Sequence, residues 1–257
     1  MGPSFFDLFK HYKVTPDINT CNLLINIYND DNNMESAAKL LTEMEQHQMV
    51  PNLATFNSFL QGFYDRSDYR SAFSYWEKMK ASKIAGDRTT YKLLFRMARD
   101  RARFYEIVKQ LVVDFGDTEV RSKIVVAAIG VYGKLRDTER ISFLFYSLGP
   151  NGFPPDAPVY SAMIECYAKL NMKQEALKFY EKMKGRGFFP SVTACNSIIS
   201  IYGENEDIAS IEKITQDMES RGMDVANVTS LLVDAYSRKK ELVAQLEEDA
   251  EPKETST

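Results

Sequence analysis

Cysteine and histidine are scarce here, with three and two copies in 257 residues. Cys21, Cys166 and Cys195 stand far apart and form no CxxC pair, and His11 and His47 have no partner at metal-ligand spacing. A disulfide framework and a Cys/His metal site are therefore both excluded, and so sparse a cysteine count suits a reducing compartment. Each cysteine falls at an apolar position of a predicted helix, where it reads as a small buried hydrophobe. No apolar run approaches the ~18 residues that would span a bilayer. A Gly-rich phosphate loop and a nucleophile–base constellation are also missing, so neither an enzyme nor a cofactor is expected.

A basic surplus is the next absence. The formal net charge is −4, and the segment from Glu247 to Thr257, with five acids against Lys253, accounts for all of it. The rest is close to neutral, so any attraction to phosphate has to come from a local patch. Met1-Gly2-Pro3-Ser4 has no signal or transit character. Phe5, Phe6, Leu8 and Phe9 read as the end of a helix, as if the chain began within a repeat.

What the sequence does have is a period. Asn22-Leu23-Leu24-Ile25-Asn26-Ile27-Tyr28 is echoed by Asn57-Ser58-Phe59-Leu60-Gln61-Gly62-Phe63, at an offset of 35. The pattern returns at Ser161–Tyr167 and Asn196–Tyr202. A second element follows each time, ending in Leu41-x-x-Met44, Trp76-x-x-Met79, Phe145-x-x-Leu148, Tyr180-x-x-Met183 and Thr215-x-x-Met218. Turn signals close the repeats: Thr15-Pro16-Asp17, Val50-Pro51-Asn52, Ala85-Gly86-Asp87, Pro154-Pro155-Asp156 and Phe189-Pro190-Ser191. Proline ends a helix, and the short polar residue after it can cap the next one.

The spacing predicts repeats at 18–52, 53–87, 88–121, 122–156, 157–191 and 192–225, with a partial one at 226–248. Residues 1–17 read as the end of a preceding repeat, and 249–257 as an acidic disordered tail. Apolar residues recur at i, i+3, i+4 and i+7, as at Ala37, Leu40, Leu41 and Met44, and mark two amphipathic helices per repeat. Small residues at Ala37, Ala72 and Ala176 let helices approach closely. The aromatic column Tyr28, Phe63, Tyr132, Tyr167, Tyr202 and Tyr236 lies on the apolar stripe and reads as core. One such hairpin cannot bury its apolar face alone, whereas stacked neighbours can. The expected fold is therefore all-α, a solenoid of helix-turn-helix repeats.

The W-x₂-L-G-x₂-Y signature of the tetratricopeptide repeat does not occur. Instead Ala54-Thr55-Phe56-Asn57-Ser58-Phe59-Leu60, with Trp76-Glu77-Lys78-Met79-Lys80 and Gly86-Asp87 behind it, resembles the pentatricopeptide repeat. So does Pro158-Val159-Tyr160-Ser161-Ala162-Met163-Ile164, with Glu175-Ala176-Leu177-Lys178-Phe179-Tyr180-Glu181-Lys182-Met183-Lys184. The resemblance runs from about Asp17 to Tyr236 and is weakest in the third repeat, where Phe115-Gly116-Asp117 replaces the usual ending.

The resemblance implies a right-handed superhelix, residence in a mitochondrion or chloroplast, and single-stranded RNA as partner. RNA would lie along the first helices, each repeat reading about one base. The readers would be the fifth and last residues of a repeat. These are Asn22 with Asn52, Asn57 with Asp87 (the family's uridine pair) and Ser161 with Ser191; Asn196 faces Val225. Lys92 and Val126 depart from the code. The pairs suggest pyrimidine-rich RNA. The second residues, Asn19, Ala54, Thr89, Lys123, Pro158, Thr193 and Asn227, offer little stacking surface.

Phosphate would meet Lys134 and Lys169, but Asp30, Asp65, Asp100 and Glu204 stand at the matching places of other repeats. Lys92, Arg96, Arg99 and Arg103, at i, i+4, i+7 and i+11, predict one basic stripe on a single helix facing the groove. The near-neutral body and the acids at phosphate places support a second reading, a protein-interaction scaffold inside a larger ribonucleoprotein such as a mitochondrial ribosome.

Overall fold

A computed structural model describes residues 5–11, 14, 16–225 and 228. The expectations for Asn227, Tyr236 and the tail at 249–257 lie outside the described residues. The described residues are mostly helical, with no strand among them. After α1 (Phe5–His11) the helices come in pairs: α2 (Ile18–Asp30) with α3 (Met34–Gln46), α4 (Leu53–Asp65) with α5 (Tyr69–Ala81), and α6 (Arg88–Met97) with α7 (Arg101–Asp114). Then follow α8 (Thr118–Lys134) with α9 (Thr138–Leu148), α10 (Ala157–Lys169) with α11 (Lys173–Gly185), and α12 (Val192–Glu204) with α13 (Ile208–Ser220). The chain forms two compact bodies, 1–124 and 125–257, dividing within α8. In the first body α2 packs on α3 and α4, and α4 on α5 and α6; in the second, α10 packs on α11 and α12, and α12 on α13. Within each body this is the all-α stacking of helical hairpins that the period predicts.

The helices start where short polar side chains can accept from exposed amides. Asp17, Asn52, Asp87, Asp156 and Ser191 cap the first helices of their repeats, as their places after the turn signals predict. A second series, Asn33, Asp68, Asp137 and Asp207, caps second helices in the same way. Such caps contribute roughly 1 kcal/mol each.

The core is the apolar stripe. Ala37, Ala72 and Ala176 are fully buried, as are Met44, Phe59, Trp76 and the three cysteines, Cys166 least completely. Phe63, Tyr132 and Tyr167 of the aromatic column are buried, and Tyr28 and Tyr202 half-buried. Tyr167 stacks on Phe179 at 5.4 Å, inside the protein rather than on a ligand face. First helices approach so closely that a Cβ on Gly62 would lie 2.6 Å from the Asn29 amide oxygen, and one on Gly133 2.6 Å from Cys166 Sγ.

Left-handed turns close the helices with the same period. Asn32, Ser67, Arg136, Asn171 and Glu206 follow first helices, and Gln48, Lys83, Gly152, Gly187 and Gly222 follow second helices, all at positive φ. The third repeat has neither turn. Its first helix ends at Met97, Ala98 is extended and buried, and Asp100 caps α7 by accepting from the Arg103 amide at 2.9 Å. At its far end Asp114 closes the structure: its Oδ2 accepts from the Gly86 amide and the Tyr91 hydroxyl, each at 2.7 Å. α8 then starts at Thr118, so the repeat boundary expected at 121/122 falls inside a helix. Asp117 sets this earlier start by accepting from the Glu119 amide at 2.8 Å.

Candidate nucleic-acid interface

The paired residues at the seams between repeats are joined directly. Asn57, on α4, donates from Nδ2 to Asp87 Oδ1 at 3.1 Å, and Asn22, on α2, donates from Nδ2 to Asn52 Oδ1 at 3.2 Å. Each last residue caps the next first helix, so capping geometry carries it to the fifth residue of its own repeat. A threonine completes both sites. Thr90 Oγ donates to Asn57 Oδ1 at 2.7 Å, and Thr55 Oγ donates to Asn22 Oδ1 at 2.7 Å. Burial of Asp87 acts to raise its pKa, but the Thr90 amide and hydroxyl and the Asn57 amide outweigh it and hold the carboxyl below its ordinary value.

The other pairs differ. Ser161 accepts at Oγ from the Ser191 amide at 3.0 Å, while the Ser191 hydroxyl donates to Glu165. Asn196 Oδ1 is buried with no hydrogen-bond partner. Code residues that merely lined an open face would be exposed. Asn22 and Ser161 instead retain 8% and 5% of their accessible surface, and Asn57, Asn52, Asp87 and Asn196 are half-buried. The bonds to the next cap draw Asn22, Asn57 and Ser161 into the seam.

The basic stripe on one helix is not formed. Lys92 and Arg96 belong to α6, Arg99 lies in the connection, and Arg103 lies in the first turn of α7, because the extended Ala98 and the Asp100 cap turn the chain. The three arginines instead lie along the aromatics of the preceding repeat: Arg96 over Tyr64 at 4.4 Å, Arg99 over Tyr69 at 5.0 Å, and Arg103 over Phe73 at 4.5 Å. Arg99 also donates to the Tyr69 hydroxyl at 3.1 Å, and Arg103 pairs with Glu106 at 2.8 Å. Lys92 and Arg99 are exposed, Arg96 and Arg103 half-buried.

Two grooves run between neighbouring first helices. In the second body, Lys134, Arg136 and Lys169 line a groove of about 380 Å³ with Val126, Ala162 and Glu165. In the first, Asp30 and Asp65 line a groove of about 430 Å³ with Asn26, Asn29, Gln61 and Arg66. The groove in the second body is mainly basic at its rim, the one in the first body mainly acidic. Glu204 is paired with Lys173. No group of three or more His, Cys, Asp or Glu that could hold a metal occurs among the described residues.

The seam recurs within the chain at an offset of 35 residues, from Asn22–Asn52 to Asn57–Asp87. A model described as the PPR repeat family matches residues 16–65, and one described as the PPR repeat matches 54–84, 158–188 and 193–223, together just over half of the chain. The chain belongs to the pentatricopeptide repeat family. An Arabidopsis thaliana pentatricopeptide repeat-containing protein, named as mitochondrial, is 20% identical over 94% of this chain and 40% of its own length. Another from that plant, named as chloroplastic, is 23% identical over 72% of this chain and 26% of its own length. The crystal structure of the maize pentatricopeptide repeat protein PPR10 matches with a TM-score of 0.47 and 20% identity, covering 95% of this chain and 36% of that one. The chain thus spans 40% or less of the length of these relatives.

The pentatricopeptide matches leave out 85–157, which holds the shortened α6, the broken basic stripe and the lengthened α8. Thr55 and Thr90 were missed by sequence reasoning. Their signal is visible in hindsight: a threonine three residues after a capping Asn or Asp, and 33 residues after a reader asparagine.

Proposed function

We propose that this chain binds single-stranded RNA along the first helices of its repeats, within a mitochondrion or chloroplast, in the processing, splicing, stability or translation of organellar transcripts. The observation that carries the reading is the Asn57–Asp87 bond, repeated at Asn22–Asn52. Two polar side chains, the fifth and the last of one repeat, are fixed together at the spacing from which the family reads a base. An asparagine amide bonded once at each end keeps a further proton on Nδ2 and a further lone pair on Oδ1, enough to engage a Watson–Crick edge. Asn57 with Asp87 reads uridine, and Asn22 with Asn52 a pyrimidine. The compartment follows from the names of the relatives.

Phosphate is met by Lys92, Arg96 and Arg99 in the first body and by Lys134 and Lys169 in the second. With Lys92 and Val126 at two reading places and Asn196 unpaired, two or three repeats select a base, and specificity is low.

A second reading, a protein-interaction scaffold within a ribonucleoprotein, is favoured by Asp30 and Asp65 lining the groove between α2 and α4. A salt-titrated binding assay with pyrimidine-rich and purine-rich single-stranded oligoribonucleotides separates the two. RNA binding predicts affinity that falls with salt and favours the pyrimidine strand. No binding at low salt, where charge is least screened, leaves the scaffold.

A further inference from the structure

Base reading in this family is ascribed to two residues of a repeat, and at the Asn22 and Asn57 sites here a third group joins them. We infer that Thr55 and Thr90 are positioning residues for base choice, each holding the amide plane of the asparagine in the preceding repeat. The inference rests on the RNA-reading function proposed above.

At the Asn57 site, Thr90 Oγ accepts from the Asp87 amide at 3.1 Å, so one lone pair of the hydroxyl is occupied from behind. Its single proton has two possible acceptors, Asn57 Oδ1 at 2.7 Å and Asp87 Oδ1 at 2.9 Å. Asp87 Oδ1 already accepts from the Thr90 amide at 2.8 Å and from Asn57 Nδ2 at 3.1 Å. The shorter distance and the emptier acceptor direct the proton to Asn57. A chain of donors then runs from the Asp87 amide through the Thr90 hydroxyl to the Asn57 carbonyl oxygen, each bond polarising the next. The Asn22 site repeats it: the Asn52 amide donates to Thr55 Oγ at 3.1 Å, and Thr55 Oγ donates to Asn22 Oδ1 at 2.7 Å.

Geometry decides what this does. An amide bonded at Nδ2 alone swings about that bond. Bonded at Nδ2 to the last residue of the repeat and at Oδ1 to threonine, its plane is fixed, and so are the directions of its remaining donor and acceptor. Reversal would set two acceptor oxygens, Asn57 Oδ1 and Asp87 Oδ1, against each other. A fixed order of donor and acceptor is what distinguishes one base edge from another.

Asn196 is the internal comparison. Its repeat ends in Val225, and Val228 stands where Thr55 and Thr90 stand in the other two sites. With neither partner present, Asn196 Oδ1 is buried and unbonded. Where the fifth residue is not asparagine, the third position of the next repeat holds Ile124, Val159 or Ala194, none with a hydroxyl. In this chain the hydroxyl accompanies the asparagine readers that also have a polar partner.

The test compares Thr90→Val, which keeps the shape, with Thr90→Ser, which keeps the hydroxyl, both in the whole chain. Without RNA, the Asn57 side-chain NH₂ signals should show a lower order parameter, read as a reduced 15N heteronuclear NOE, in Thr90→Val and wild-type behaviour in Thr90→Ser. With RNA, the preference for oligouridylate over oligoadenylate should fall about fivefold in Thr90→Val, the effect of one hydrogen bond, and return in Thr90→Ser. Oligoadenylate affinity should stay within about twofold, because phosphate contacts dominate it. A wild type that discriminates while Thr90→Val only melts earlier, with Asn57 signals and base preference unchanged, overturns the positioning role and leaves RNA reading intact. A wild type that does not discriminate between the two RNAs overturns the reading function and this inference together.

Discussion

The side chains of Asn57 and Asp87, 30 residues apart, are joined by a 3.1 Å hydrogen bond from Nδ2 to Oδ1. The same Asp87 oxygen caps α6 through the Thr90 amide. Because these donors hold the folded carboxyl below its ordinary value, its stabilisation is complete above that value and is lost as pH falls through the folded pKa. Asp87→Asn keeps a capping oxygen but not the charge. The stability gap between wild type and Asp87→Asn should be widest near neutrality and close as pH falls through the lowered folded pKa, where the carboxyl becomes protonated. Thermal melts across that range check it; a gap independent of pH would show that the charge does not matter.

Asn57→Ala should affect both fold and function. A reader exposed on an open face would imply no cost to stability. The observed seam implies a loss of about 1 kcal/mol, because Thr90 Oγ and Asp87 Oδ1 each lose a partner. Binding to uridine-containing RNA should weaken by about 1–3 kcal/mol, and to other sequences less. Denaturation curves and parallel titrations on two RNAs separate the effects.

Arg96 and Arg99 test phosphate contact against stacking. Replacing both with alanine should flatten the log-log salt dependence by roughly 0.7 per lost contact, for all sequences alike. Replacing them with lysine keeps the charge and the slope but exchanges a planar guanidinium over Tyr64 and Tyr69 for a point charge. The lysine variant should lose about 0.5–1 kcal/mol of stability per ring contact.

The left-handed turns give a prediction free of any ligand. Lys83 has φ 57° and Gly187 φ 75°, at corresponding ends of second helices. Lys83→Gly should be neutral to slightly stabilising, since relief of left-handed strain offsets the greater freedom of the unfolded chain. Gly187→Ala should destabilise by about 1 kcal/mol or more. Melting temperatures of the two variants check the opposite signs.

The regular repeats were legible because each rests on local chemistry. A proline or glycine turn, a capping residue after it and an apolar stripe locate α2 to α5 and α10 to α13 from sequence. The third repeat was not legible for the same reason. Ala98 ends a helix without glycine or proline, and Asp114 anchors Gly86 and Tyr91 from 28 and 23 residues away. Lys92, Arg96, Arg99 and Arg103 are periodic in sequence, but a periodic pattern implies one face only if the helix is unbroken. At the seams, sequence reasoning reached Asn57 and Asp87 through the family's spacing. It missed Thr90 because the threonine's spacing from cap and reader lies outside the two-residue code and gains meaning only once the fold brings cap, threonine and asparagine together.

The central claim is that RNA lies on the first helices. Photocrosslinking of the whole chain to oligoribonucleotides containing 4-thiouridine, with the attached peptides mapped by mass spectrometry, tests it most directly. The account predicts crosslinks within α2, α4 and α6 and at the adjoining caps, around Asn22, Asn57 and Asp87, diminished at α4 by Asn57→Ala. Crosslinks confined to the second helices α3, α5 and α11, or none beyond an unirradiated control, would contradict it.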